Sequence, residues 1–206
     1  YNRENGAEVK QIVAKMSKSL KNVVNPDDVT ERHGADSLRL YEMFMGPLDI
    51  MKPWDDRKVK GVFNFLARAF RFFSNPENLT EGPEDYEILK GLHKTIRKVE
   101  EDIENLKFNT AISEMMIFLN LVYKKGKVTR DTSCSFTLIL SPFAPHLAEE
   151  LWQMLGHDKT VAFEPWPAVM EEYLKVDVFE YPVSFNGKMR FKIELPVDMP
   201  RDEIVS

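Results

Sequence analysis

The chain has 206 residues, 43% hydrophobic and 30% charged, with a formal net charge of −5. That length holds one large domain or two small ones, and the composition is ordinary for a soluble globular protein. No apolar run is long enough to cross a membrane, the net charge gives no general pull toward nucleic acid, and the lone Cys134 excludes an internal disulfide framework and a cysteine-based zinc site.

The start, Tyr1 to Gly6, is polar and lacks both an initiator Met and a signal peptide, so it reads as a piece cut from a longer protein. Charge is unevenly spread: residues 1–80 carry 13 Lys/Arg against 11 Asp/Glu, and residues 127–206 carry 8 against 13. Contacts with a polyanion are therefore expected from local patches in the first part.

Residues 15–19 read Lys-Met-Ser-Lys-Ser, two cations and two hydroxyls in five residues. Such a loop is able to surround one polyanion, although the same composition also suits a solvated surface loop. Asn25-Pro26-Asp27-Asp28 reads as a turn feeding a helix capped by Asn25 or Asp27. A second short helix runs through Leu38, Leu40, Tyr41, Phe44 and Met45 and ends at Gly46-Pro47.

Asp55 to Phe73 reads as a longer helix with one apolar stripe of Val59, Val62, Phe63, Leu66, Phe70 and Phe73. Arg68 and Arg71 fall on another face. Asn75-Pro76 stops the helix, and a polar connector runs to Pro83. Asp85 to Leu106 repeats the helical period through Leu89, Leu92, Ile96, Val99, Ile103 and Leu106. Phe108 to Tyr123 follows and breaks at Gly126. A further helix spans Val128 to Leu140, carrying Cys134 as a buried structural thiol, and Pro145 opens one more that ends at Gly156. These amphipathic helices with short connectors predict a mainly α protein, an antiparallel helical bundle.

The end alternates instead. Phe179, Tyr181, Val183 and Phe185, then Met189, Phe191, Ile193 and Leu195, flank Asn186-Gly187, a strong signal for a short C-terminal β-hairpin. Strict alternation places Lys188, Arg190 and Lys192 on one face. The expected division is 1–54, 55–174 for the bundle, and 175–206 for a truncated β-containing unit.

Lys15-Met16-Ser17-Lys18-Ser19 resembles the KMSKS signature of class I aminoacyl-tRNA synthetases. The text after it, Asn22-Val23-Val24-Asn25-Pro26 and Gly34-Ala35-Asp36-Ser37-Leu38-Arg39-Leu40, is similar to that of the leucine, isoleucine, valine and methionine enzymes. Tyr41 to Leu48 with Lys52-Pro53-Trp54 resembles the bacterial leucyl branch. Phe108-Asn109-Thr110-Ala111-Ile112 and Leu140 to Trp152 look like its anticodon-binding helical domain, and Pro165-Trp166-Pro167 with Val183 to Lys188 like the lead into its small C-terminal domain. Leu20 and Lys21 depart from the Lys-Gly of many relatives. The HIGH signature, a nucleotide-binding sheet and an editing domain have no counterpart in these residues.

The resemblance implies a leucine–tRNA ligase as the full-length parent. It is expected to be a cytoplasmic monomer, not bound to membrane, that uses ATP with Mg2+, leucine and tRNA(Leu). This part alone is expected to be inactive. Lys18, then Lys15, are the implied catalytic cations, acting on phosphate charge without proton transfer. Lys15, Met16, Ser17, Lys18 and Ser19 form the implied ATP loop. Ser17 and Ser19 either hold the loop or donate to phosphate, and Met16 packs it. Arg68, Arg71, Lys188 and Arg190 are the tRNA candidates; a solvated helix face and an edge strand protected by lysine explain the same residues. No metal spacing surrounds His33 or His146, and His146 reads as a capping or packing residue. Trp152 and Trp166 read as core or interdomain residues. A standalone tRNA-binding or interaction module, and the same region of an isoleucine, valine or methionine enzyme, are the competing readings.

Overall fold

The structure, a computed structural model, describes residues 6, 8, 14–47, 49–175, 178–185 and 188–196. Seven α-helices occur among them: α1 Pro26–His33, α2 Ala35–Phe44, α3 Asp56–Phe73, α4 Tyr86–Glu104, α5 Phe108–Lys125, α6 Arg130–Leu140 and α7 Pro145–Met154. The chain is mainly α, an antiparallel helical bundle followed by a short β-hairpin. Two compact units divide it, residues 1–168 and 169–206. Among the described residues, no helix is long and apolar enough to cross a membrane.

Helix starts follow local chemistry. Asn25 Oδ1 accepts from the Asp27 amide at 3.2 Å, Asp55 from Arg57 at 3.0 Å, and Asp85 from Glu87 at 2.8 Å. Each short polar side chain satisfies an amide that the helix leaves unpaired. Gly126, at φ +86°, closes α5, a backbone conformation that a Cβ disfavours. Helix α7 starts at Ala144-Pro145 with no cap from its own side chains. Asp36 supplies one from α2 instead, accepting from the Leu147 amide at 2.8 Å and the His146 amide at 3.4 Å. His146 Nδ1 lies 2.8 Å from the same carboxylate. His146 thus belongs to a helix start, as its position after Pro145 suggests.

The core is built on aromatic rings. Phe136 of α6 is fully buried. It stacks on Phe73 of α3 at 4.6 Å and on Phe118 of α5 at 5.7 Å. Phe72 meets Tyr123 at 5.0 Å. Helices α4 and α5 form a close antiparallel pair across residues 105–107. Gly91 permits the approach, since a Cβ there would lie 2.5 Å from the Leu121 Cδ2.

Three sequence expectations are corrected. The buried face of α3 runs through Val59, Val62, Phe65, Leu66, Ala69, Phe72 and Phe73, while Phe63 is 38% exposed and Phe70 only half-buried. The aromatic stack with α5 and α6 turns Phe72 inward, and Phe63 and Phe70 border a shallow cleft with His33 and His146. Leu106 lies beyond α4, at φ +55° and exposed. Finally, α6 begins at Arg130, because Val128–Thr129 (β2) pairs in parallel with Leu79–Thr80 (β1). The connector before α4 supplies that partner strand. It is pinned there by Glu84, which accepts from the Thr129 amide at 2.7 Å and the Thr132 hydroxyl at 2.5 Å.

In the second unit, β3 Val178–Phe185 pairs antiparallel with β4 Lys188–Pro196. Asn186 and Gly187 lie outside the described residues.

Candidate nucleotide loop and nucleic-acid surface

Residues 15–22 form a laced turn. The Lys21 amide donates to the Lys18 carbonyl at 3.2 Å, and Lys21 adopts φ +51° to close it. The Leu20 amide donates to Ser17 Oγ at 3.3 Å, and the Ser17 and Ser19 hydroxyls lie 3.2 Å apart. Both hydroxyls thus take part in hydrogen bonds within the loop. Asn22 reaches back across it, accepting from the Ser17 amide at 2.8 Å and donating to the Lys15 carbonyl at 3.4 Å. Lys15 and Lys18 are exposed and make no ion pair among the described residues. Two ammonium groups are thus offered to solvent from a hydrogen-bonded frame.

The frame rests on the segment that follows α2. Met16 lines a cleft of about 470 Å³ with Met45, Met51, Lys52 and Trp54, and a smaller one of about 150 Å³ with Val24, Leu38 and Trp54. Trp54 is held edge-on to Tyr41 at 4.7 Å, and its indole N–H donates to Asp56 at 2.8 Å. The Tyr41 hydroxyl accepts from the Asp55 amide at 2.8 Å. Burial pushes the Tyr41 phenol above its usual range, and the bond from Asp55 partly offsets that. Lys52 is not a third loose cation, since its ammonium donates to the Gly46 carbonyl at 2.6 Å.

The four sequence-predicted nucleic-acid contacts sit in different settings. Arg71 is exposed on α3. Arg68 is half-buried: its guanidinium donates to Asn120 at 2.9 Å and lies 4.8 Å from the Tyr123 ring centroid. The Tyr123 hydroxyl in turn donates to the Arg68 carbonyl at 2.9 Å. Arg68 thus ties α3 to α5. In the hairpin, Val183 pairs with Phe191 but Ser184 pairs with Met189, which leaves Arg190 as an extra residue in a bulge. Lys188 pairs with Phe185 and Lys192 with Pro182, on either side of the bulge. The strict alternation from which a single face was expected is therefore interrupted at Arg190.

Two other features lie apart from the loop. Burial pushes the Cys134 thiol up, and its Sγ lies 3.3 Å from His157 Nε2. The His157 ring stacks on Trp152 at 3.7 Å. This is a packed thiol, not an activated nucleophile. Among the described residues, no group of three or more His, Cys, Asp or Glu is placed to hold a metal ion.

Sequence reasoning did not single out Asn22 or the seat provided by Trp54. An Asn five residues after Ser17 is the available signal, since Asn side chains close turns by bonding nearby backbone.

An exposed, laced lysine loop is followed in this chain by a helical bundle, and both parts match known families. The chain belongs to the family described as the anticodon-binding domain of tRNA ligase, which matches residues 85–205, and residues 9–48 match class I tRNA synthetases of the I, L, M and V group. Individual relatives include leucine–tRNA ligases. That of Amoebophilus asiaticus is 48% identical over 194 residues, covering 93% of this chain and 21% of the relative. That of Porphyromonas gingivalis is 47% identical over the same shares. The solved ternary complex of Agrobacterium radiobacter K84 agnB2 LeuRS, tRNA and LeuAMS superposes with a TM-score of 0.77 at 33% identity, covering 93% of this chain and 27% of that one. The chain thus spans about one fifth of the length of the curated relatives it matches.

Proposed function

We propose that this chain supplies the ATP loop and a tRNA-binding bundle of a leucine–tRNA ligase. The whole enzyme joins the leucine carboxylate to the α-phosphate of ATP, releasing pyrophosphate, and passes the leucyl group to the 3′ end of tRNA(Leu), releasing AMP. Lys18, seconded by Lys15, stabilises the negative charge that builds on the phosphates as pyrophosphate leaves. A preorganised ammonium suits that task because it is in place before the charge develops. Mg2+ enters with ATP as part of the substrate, and no residue of this chain is assigned to it. Met16 seats the loop, and Ser17 and Ser19 shape it.

Residues 1–54 are assigned to the end of the catalytic domain, 55–174 to the tRNA-binding bundle and 175–206 to a small β-containing domain. Arg71 and Arg190 are the first choices for phosphate contact, and Lys188 comes after them; Arg68 serves mainly to brace Arg71's helix. A cytoplasmic monomer completes the assignment.

The observation that carries this reading is the intact Lys15–Ser19 pentapeptide on an exposed turn, in a chain 48% identical to a leucine–tRNA ligase over 93% of its length. Leucine-dependent ATP–pyrophosphate exchange by the full-length enzyme tests it. Lys18→Ala is expected to slow exchange by roughly 10²–10³. A near wild-type rate for that variant refutes the assignment.

A further inference from the structure

We infer that Asn22 is a positioning residue for the Lys18 ammonium, acting by setting the shape of the loop. The inference rests on the reading of residues 15–19 as an ATP-phosphate loop. Its basis is the pair of bonds that one side-chain amide makes to two peptide groups. Asn22 Oδ1 accepts from the Ser17 N–H at 2.8 Å, and its Nδ2 donates to the Lys15 carbonyl at 3.4 Å. These are the two groups that flank Met16. A residue of a neighbouring parallel strand would bond the same pair, so the Asn22 amide takes the part of a strand neighbour at these two groups.

The consequence is directional. Fixing both peptide planes around Met16 keeps its side chain in the clefts beside Trp54. Lys18 then follows, exposed, at the first position of the Lys18–Lys21 turn. Without the clasp, the hydrogen bonds left within the loop among the described residues are the Lys21-to-Lys18 bond and those through Ser17 Oγ, and none of them fixes the peptide groups that flank Met16. An exposed lysine on an unrestrained loop samples many positions, and small misplacements of a charge-stabilising group are costly to rate.

Asn suits this position better than its neighbours in chemistry. Asp retains the acceptor for Ser17 but has no donor for the Lys15 carbonyl, and it adds a negative charge beside Lys15, Lys18 and Lys21. Ser or Ala cannot span both groups.

The test is a double-mutant cycle on the full-length leucine–tRNA ligase carrying these residues, read by leucine-dependent ATP–pyrophosphate exchange. Asn22→Ala is expected to lower kcat by about tenfold or more, leaving the leucine KM and the thermal midpoint in place. Adding it to Lys18→Ala is expected to cause no further loss, because a residue that acts through Lys18 has nothing left to position. Three results overturn the proposal. A wild-type rate for Asn22→Ala beside a disabled Lys18→Ala removes Asn22 alone and leaves the ATP-loop reading standing. Losses that multiply in the double variant show that Asn22 acts elsewhere. A near wild-type Lys18→Ala removes the ATP-loop reading and this inference together.

Discussion

The loop of residues 15–22 and the bundle core are held by opposite means. The loop is laced by hydrogen bonds between residues two to seven apart, such as Ser17 with Ser19 and Asn22 with Lys15, and Met16 at 40% exposed marks how little of it is buried. The core is held by residues far apart in sequence, as in the stack of Phe73, Phe118 and Phe136. Apolar burial carries stability, whereas exposed polar bonds that compete with water carry little. Chemistry placed on the loop is therefore separable from the fold, and the core is not.

Breaking the core should give the largest effect. Phe136→Ala is expected to cost about 3–5 kcal/mol of folding stability, since the cavity opens inside an aromatic stack that spans three helices. Urea unfolding of the variant measures it. Lys18→Ala should be the mirror image: about 3–4 kcal/mol lost from the transition state with an unchanged urea midpoint. A drop in that midpoint would mean that loop and fold are coupled after all.

The two arginines of α3 sharpen the contrast within one helix. Arg68→Ala is expected to lose about 1 kcal/mol of stability, because Asn120 and Tyr123 lose their partner. Arg71→Ala should leave stability alone. Its effect is expected in tRNA binding, where the log-log salt slope becomes shallower by about 0.7–0.9. A titration of tRNA at several salt concentrations separates the two.

The smallest effect concerns pH. The bond from the Lys125 ammonium holds the Asp85 carboxyl below the usual carboxylate range. A carboxylate depressed in the folded state stabilises above its unfolded pKa, and that contribution is lost as pH falls through the folded one. Asp85→Asn keeps a capping oxygen but not the charge. The gap between wild type and Asp85→Asn is therefore expected to be widest near neutrality and to close below about pH 4, as read from urea midpoints at pH 7 and pH 3.

Much of this protein was legible in local chemistry. The caps Asn25, Asp55 and Asp85 and the stop at Gly126 appear where the residue types place them, because each acts on backbone within a few positions. The signature loop and the helical class of the fold were legible for the same reason: one is a contiguous motif and the other a 3.6-residue period. The rest depended on partners far along the chain. Helix α3 turns Phe72 inward and Phe63 outward because α5 and α6 offer an aromatic surface on one side. Arg68 looked as free as Arg71 until α5 brought Asn120 and Tyr123 beneath it. Helix α7 is capped by Asp36, 111 residues before Leu147. Sequence alone determined the helices, the C-terminal hairpin and which loop carries charge, since those depend on neighbours in the chain. Tertiary structure decided which face each helix buries and which cations remain available, since burial and pairing depend on what the fold brings alongside.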